Sequence, residues 1–196
     1  MLIGLTGPTG SGKTTLCDVA KKHGFEIINA DKVVHEIYSK KSTADLLAGV
    51  FGERVVSNGT VDRSELAKAA FKDAKSTELL NKTVLPIVCD EIKAIIKKSQ
   101  SDFILLDAPT LFESGLDREC DLIISVICDR NIRRMRIMAR DGMSEEAANM
   151  RLAAAKSDEF FISRSTHVIF NGGDLAEFKE QANDLIINIM NKHKGE

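Results

Sequence analysis

The feature that most constrains this chain is a glycine-rich segment close to its beginning. Residues 7–14 read G-P-T-G-S-G-K-T, which fits the pattern G-x-x-x-x-G-K-[ST], and they directly follow the apolar run 2–5. Residues 15–23 come next and carry apolar side chains at helical spacing. A strand, a glycine-rich loop and a helix in this order predict a loop that wraps a phosphate chain, because backbone N–H groups and a helix N-terminus attract anions.

The loop pattern assigns roles to particular side chains. Lys13 is expected to reach the β- and γ-phosphates of a nucleoside triphosphate and to stabilise charge during transfer. The hydroxyl of Thr14 is the expected Mg²⁺ ligand. The residues predicted to bind the nucleotide around them are Gly10, Ser11, Gly12 and Thr15. The loop alone identifies a phosphate donor and leaves the acceptor open.

Composition narrows the class of protein further. The chain has 196 residues, 43% of them hydrophobic and 29% charged, and its net charge of −2 lacks the basic excess of nucleic-acid or anionic-membrane partners. No apolar stretch approaches the roughly 20 residues needed to span a bilayer. Met1 leads straight into the first strand, which leaves no room for a signal peptide. The cysteines are scattered and form no C-x-x-C, so we expect reduced thiols in a cytoplasmic protein.

Strand and helix patterns alternate along the chain, which predicts an α/β fold with a five-stranded parallel sheet between two layers of helices. The strand candidates are residues 2–5, 26–29, 103–107, 122–128 and 167–170. The long stretches between them predict one domain over 1–196. Its core covers about 1–40, 101–130 and 165–196, with a helical substrate-binding insertion at about 41–100 and a lid region at about 131–164.

Three patterns inside these segments predict local structure. A hairpin is expected over residues 55–61, around Asn58 and Gly59. Asp62 and Glu65 have the spacing of a capping box. The helical region 76–98 is expected to be kinked or broken near Pro86, which lacks a backbone N–H.

Three side chains near predicted strand ends are candidates for chemistry. Asp31 follows the second strand and is expected to accept the proton of the acceptor hydroxyl, although it could instead cap the helix 32–39. His35 lies one helical turn further on, where it would touch substrate, steady the Asp31 carboxylate or serve only structure. Asp107 ends the third strand and is expected to contact Mg²⁺ through water, unless it only forms a turn before Pro109.

Two further sites are open to more than one interpretation. Arg133, Arg136 and Arg140 form one stripe of a helix, either a solvated face or part of a lid that places arginines over the phosphates. Arg140 is the preferred catalytic candidate among them. Asn171 follows the fifth strand and would bind ATP by reading the adenine edge, or would form a turn.

Several ordered motifs resemble the dephospho-coenzyme A kinase family over nearly the whole chain. They are the opening I-G-L-T-G and its phosphate loop, A-D with His35, G-T-V-D-R-S-E-L at 59–66, L-D-A-P-T-L-F-E at 106–113, R-D-G-M-S at 140–144 and V-I-F-N at 168–171. The resemblance implies a P-loop kinase that uses ATP and Mg²⁺ to phosphorylate the ribose 3′-hydroxyl of dephospho-coenzyme A, the last step of coenzyme A synthesis. It also implies substrate-binding roles for Asp31, His35 and Arg63. The sequence does not fix the oligomeric state, and we expect a monomer or weak homo-oligomer.

Three positions depart from the family pattern. Leu85 stands where the family usually has histidine, Ala155 where the lid region usually carries glutamine, and Thr110 where a leucine is usual. None of these changes removes the phosphate loop or Asp31.

Three other functions compete with this interpretation. The nearest is another P-loop small-molecule kinase, of the nucleotide or shikimate type, which would share the loop and the lid. A GTPase switch would need D-x-x-G and N-K-x-D motifs, and neither stands in a fitting context. A non-catalytic ATP-binding module would not need Lys13, Thr14, Asp31 and Asp107 together.

Overall fold

A computed structural model gives the structure of the protein and describes residues 1–172 and 174–194. Residues 173, 195 and 196 of the predicted domain lie outside this description. The strands are β1 (Leu2–Thr6), β2 (Glu26–Asn29), β3 (Val56–Ser57), β4 (Thr60–Val61), β5 (Ile104–Asp107), β6 (Leu122–Ile127) and β7 (His167–Phe170). The helices are α1 (Lys13–Lys22), α2 (Ala30–Tyr38), α3 (Lys41–Phe51), α4 (Arg63–Ala70), α5 (Ala74–Lys98), α6 (Leu111–Ser114), α7 (Arg130–Asp141), α8 (Glu145–Ala153), α9 (Asp158–Ile162) and α10 (Leu175–Lys194).

The main sheet has five strands in the order β2-β5-β1-β6-β7. Its central strand, β1, pairs in parallel with both β5 and β6, and every residue of these three strands is buried. Strands covered on both faces are predominantly apolar, which is why their sequences do not alternate between apolar and polar residues. The predicted parallel α/β sheet is therefore confirmed.

The chain divides into two compact units. The first, the sheet unit, comprises Met1–Ile28 and Gln100–Glu196. Its core includes buried side chains of the central strands and of α1 and α10, which pack against each other. Members of this core are Ile3, Leu5, Leu16, Leu105, Ile124, Phe178 and Ile186. The same helix α1 carries the phosphate loop at its N-terminus, so the core holds that loop in place.

The second, the helical unit, comprises Asn29–Ser99 and contains the predicted hairpin. Asn58 and Gly59 both have positive φ, 51° and 75°, as a two-residue turn between antiparallel strands requires. Asp62 caps α4 by accepting hydrogen bonds from the backbone N–H groups of Ser64 and Glu65. In a complete capping box the Glu65 side chain would accept a hydrogen bond from the N–H of Asp62. Here that N–H donates to the carbonyl of Val55 instead.

The break expected near Pro86 is wrong, while the alternative of a kink stays a prediction. Helix α5 runs through Pro86 as one element of 25 residues. Its buried residues Leu80, Val84, Val88 and Ile92 recur every four positions and form one apolar face, and α5 packs against α2. Burial of that face offsets the loss of one backbone hydrogen bond at the proline.

Two expectations about the environment of the chain can be compared with the described residues. All four cysteines are free thiols, as predicted. Within residues 1–172 and 174–194, no helix has the length and apolar character that crossing a membrane requires. The division into core, substrate-binding insertion and lid stays a prediction.

Candidate active site

The phosphate loop forms a tight turn that ends in helix α1. The N–H of Ser11 donates to the carbonyl of Pro8 over 3.2 Å, and Gly12 caps the helix in a left-handed conformation with φ of 105°. The Nζ atom of Lys13 donates to the carbonyl of Gly7 over 2.8 Å and lies 3.4 Å from that of Pro8. The ammonium group therefore lies across the same loop whose pattern predicted phosphate binding.

Two glycines of the loop are required by close packing. A Cβ atom at Gly10 would lie 3.0 Å from the carbonyl oxygen of Arg133 on α7. At Gly12 a Cβ atom would overlap Nδ2 of Asn171, just past the end of β7. Both residues also have positive φ, a conformation that side chains disfavour. The loop is thus packed closely against both α7 and Asn171.

Asn171 and Arg136 bind the loop through hydrogen bonds. The Asn171 side chain is buried, and its Nδ2 donates to the carbonyl of Ser11 over 2.7 Å. Arg136 donates from Nη2 to Oδ1 of Asn171 over 3.2 Å, and its Nη1 lies 3.4 Å from the carbonyls of Gly10 and Ser11. The sequence analysis expected Asn171 to read adenine or to form a turn, so its contact with the loop was not foreseen, and the adenine role stays a prediction. It also missed Arg136, although Arg136 belongs to the predicted arginine stripe.

The arginine stripe is not uniformly solvated. The Arg133 side chain is only 8% exposed and pairs with Asp158 over 3.2 Å. Arg140 is 58% exposed and binds both oxygens of Asp141, over 2.7 and 2.8 Å, and this contact lowers the pKa of the Asp141 carboxyl. The predicted lid role of Arg140 therefore stays a prediction, while Arg136 is the member whose side chain contacts the carbonyls of Gly10 and Ser11.

The two residues predicted to serve Mg²⁺ have suitable chemistry and exposure. The side chain of Thr14 in the first turn of α1 is exposed, and Asp107 is buried at the end of β5, paired with Leu5 of β1. Burial, followed by the negative charge of Asp107, raises the pKa of the Cys17 thiol on α1 to about 12. The charge of Asp107 therefore reaches the helix that carries Thr14. Hydroxyl and carboxylate oxygens are the ligand type that Mg²⁺ prefers, so these residues fit the ion.

Asp31 is not the cap of the helix that contains it. Helix α2 begins at Ala30, and its cap is Asn29, whose Oδ1 accepts a hydrogen bond from the N–H of Lys32. Asp31 lies in the first turn, where its side chain is exposed and makes no hydrogen bond or ion pair with any described residue. The carboxylate is therefore open to an incoming hydroxyl.

His35 and Arg63 come together within the helical unit. The Nη1 of Arg63 donates to Nδ1 of His35 over 3.3 Å and also contacts Nε2. Tyr38 lies one turn beyond His35 on α2; burial raises the pKa of its hydroxyl, and the nearby charge of Arg63 opposes that rise. Two of the predicted substrate residues thus form one exposed cationic group.

Comparison with known proteins decides the family. The model of the family described as Dephospho-CoA kinase matches residues 1–177. The chain belongs to the dephospho-coenzyme A kinase family. The match contains the phosphate loop, Asp31, Arg63, Asp107 and Asn171. It therefore confirms the resemblance that the ordered motifs indicated.

Individual relatives agree with this membership in the dephospho-coenzyme A kinase family. A dephospho-CoA kinase from Fusobacterium nucleatum is 35% identical, and the alignment covers 90% of this chain and 92% of that protein. The crystal structure of TT1252 from Thermus thermophilus has a TM-score of 0.83 at 29% identity, with 96% of each chain covered. A dephospho-CoA kinase from Campylobacter jejuni has a TM-score of 0.73 at 24% identity, with 98% of each chain covered, a likeness of fold alone.

The same fold occurs in the runner-up class. A shikimate kinase from Bacteroides thetaiotaomicron has a TM-score of 0.60 at 14% identity, with 97% of this chain and 98% of that one covered. At that identity only the architecture is shared, so the P-loop kinase fold is shown and the acceptor is not. The dephospho-coenzyme A kinase family match is what separates the two classes.

Proposed function

We propose that this chain transfers the γ-phosphoryl group of ATP to the ribose 3′-hydroxyl of dephospho-coenzyme A, giving coenzyme A and ADP. The observation that carries the proposal is the family match over residues 1–177, which includes both the phosphate loop and the Val61-Asp62-Arg63 segment. The reaction is the last step of coenzyme A synthesis.

The donor side of the reaction is assigned to the sheet unit. The backbone N–H groups of the loop and the N-terminus of α1 bind the phosphates of ATP, and the Lys13 ammonium leaves the Gly7 carbonyl to stabilise charge on the transferring group. Thr14 and Asp107 would hold Mg²⁺, and the ion would supply positive charge that neutralises the phosphates. Arg140, released from Asp141, supplies a second positive charge from the lid region.

The acceptor side is assigned to residues of the helical unit. Asp31 accepts the proton of the ribose 3′-hydroxyl as the oxygen attacks phosphorus, a role that its exposed and unengaged carboxylate permits. Arg63 and His35 bind an anionic part of dephospho-coenzyme A, since a guanidinium group matches phosphate oxygens in geometry and charge.

The setting of the reaction is part of the proposal. We place the enzyme in the cytoplasm as a monomer or weak homo-oligomer, with no nucleic-acid or membrane partner. The net charge of −2 and the free cysteines support this setting.

The site of phosphorylation gives a direct test of the proposal. The enzyme is incubated with Mg-ATP and dephospho-coenzyme A, and the product is examined by ³¹P NMR. We expect one new phosphomonoester resonance coupled to the ribose 3′ proton. Phosphate on the 2′-hydroxyl or on any other group would contradict the proposed reaction. The Lys13→Ala variant serves as the blank for contaminating kinases.

A further inference from the structure

We propose that Asn171 and Arg136 form a positioning pair that holds the peptide between Ser11 and Gly12 in the orientation that ATP binding requires. The inference rests on the proposed ATP site and goes beyond it, because it assigns the pair to the loop backbone.

The orientation follows from the geometry of the peptide bond. A trans peptide is planar, and its C=O and N–H point in opposite directions. Asn171 and Arg136 both bind the carbonyl oxygen of Ser11, over 2.7 and 3.4 Å. The N–H of the same peptide, which belongs to Gly12, therefore points away from them. It makes no hydrogen bond with any described residue, which leaves it available to a phosphate oxygen.

Arg136 determines which way the Asn171 amide is turned. A guanidinium can only donate hydrogen bonds, so the Asn171 atom that faces Nη2 of Arg136 has to be the oxygen. The amide nitrogen is then left to face Ser11, where it can donate to the carbonyl. The Ser11 carbonyl can only accept and favours the same orientation, so without Arg136 this single hydrogen bond would have to hold the amide.

Close contacts restrict the positions of both the Asn171 and the Arg136 side chains. Asn171 is 2% exposed, and its Nδ2 lies 2.1 Å from where a Cβ atom of residue 12 would be, so Asn171 leaves room only for glycine at that position. Arg136 is half-buried and also lies 3.4 Å from the carbonyl of Gly10 and 3.5 Å from the sulfur of Cys128. Arg136 belongs to α7, the first helix of the predicted lid region. Its side chain therefore connects that helix to the phosphate loop through hydrogen bonds.

Two variants test the pair. Asn171→Asp keeps the size of the side chain and replaces the donor with an oxygen, while Arg136→Lys keeps the charge and loses the fork that reaches both Asn171 and the loop. We expect each to weaken ADP binding about tenfold or more by calorimetry, since a buried carbonyl loses its partner. We also expect KM for ATP to rise by a similar factor, with KM for dephospho-coenzyme A and kcat at saturating ATP little changed.

The controls separate positioning from structural damage. Asn183→Asp changes a half-buried asparagine on α10 that pairs with His23, and Arg134→Lys changes a neighbouring arginine that pairs with Glu145. Both should leave nucleotide affinity within twofold of the parent. ADP affinity within twofold of the parent in Asn171→Asp and Arg136→Lys would overturn the proposal. A lowered melting temperature with unchanged KM for ATP would also overturn it, because it would mean a structural role only. ADP binding needs no acceptor, so the result is independent of whether dephospho-coenzyme A is the substrate.

Discussion

The Oδ1 atom of Asn29 accepts a hydrogen bond from the backbone N–H of Lys32 over 2.9 Å, and this contact makes Asn29 the cap of α2. Asp31, two residues further on, is therefore not the cap of α2, the structural role that its position also suggested. Its carboxylate is exposed and makes no hydrogen bond or ion pair with a described residue. The Asp31 carboxylate is therefore not needed as the cap of α2, which supports its proposed role as the base.

Replacing Asp31 by asparagine tests that function. Asparagine keeps the shape of the side chain and cannot take up a proton, so we expect kcat to fall by about 100-fold or more while KM for dephospho-coenzyme A changes little. Steady-state kinetics at saturating ATP measures both constants. Asp45→Asn, which alters an exposed acid on α3 of the same unit, should behave like the parent enzyme. A rise in KM alone would reduce Asp31 to a substrate-positioning residue.

Removing the Lys13 ammonium should abolish most turnover. In Lys13→Ala the phosphate loop loses the charge that would stabilise the transferring group, and we expect kcat to fall by about 10² to 10³ or more. The measurement is ADP release, with the fold checked by circular dichroism. Lys22→Ala, in the last turn of the same helix, is the matched control. Near-normal turnover in Lys13→Ala would refute the assignment of this loop to phosphoryl transfer.

The contact between Arg63 and His35 predicts a selective effect on the acceptor. We expect Arg63→Ala to raise KM for dephospho-coenzyme A about tenfold, the loss of one charge-assisted contact, and to leave KM for ATP unchanged. Lys68→Ala removes another cation of α4 and should leave both constants unchanged. Equal increases in the two KM values for Arg63→Ala would show that the residue does not discriminate acceptor from donor.

The thiol of Cys17 predicts a dependence of stability on pH. Its pKa is about 12 in the folded protein and 9.0 in its ordinary state, because burial and Asp107 oppose the thiolate. Below pH 9.0 the thiol is neutral in both states, so its contribution to stability is complete. Between 9.0 and about 12 only the unfolded chain ionises, so the contribution is lost as the pH rises.

Urea unfolding of the parent and of Cys17→Ala at pH 8 and pH 10 isolates this contribution. The difference in unfolding free energy between the two proteins should shrink by about 1 kcal/mol at the higher pH. Other groups that titrate in this range are common to both proteins and cancel in the difference. An unchanged difference would mean that the folded thiol ionises near its ordinary pKa.

Local patterns were sufficient to predict much of the fold. The phosphate loop, all five strands of the main sheet and the Asn58-Gly59 hairpin depend on neighbouring residues, and the structure confirms each of them. Pro86 shows where a local rule fails. The rule considers only the missing N–H of one residue. The helix continues because the face formed by Leu80, Val84 and Val88 is buried, and that packing cannot be inferred from the proline.

The loop contacts of Arg136 and Asn171 could not be found in the same way. Arg136 is 126 residues from Gly10, and Asn171 is 160 residues from Ser11, so their meeting depends on the sheet order that places β6 beside β1 and β7 beside β6. The stripe of arginines on α7 was visible in the sequence. The sequence did not show which side chain of the stripe would contact the loop. In the structure α7 buries Arg133, half-buries Arg136 and exposes Arg140, and these differences depend on how the helix packs.

The rate of acceptor-dependent ADP release tests the central claim most directly. The enzyme is given Mg-ATP and, in separate reactions, dephospho-coenzyme A, AMP or shikimate, and kcat/KM is measured for each acceptor. We predict that kcat/KM for dephospho-coenzyme A is higher by about a thousandfold or more. The residues that pair with its charged groups would be left without partners when AMP or shikimate binds. No turnover with dephospho-coenzyme A, or a higher kcat/KM with AMP or shikimate, would contradict the proposed function.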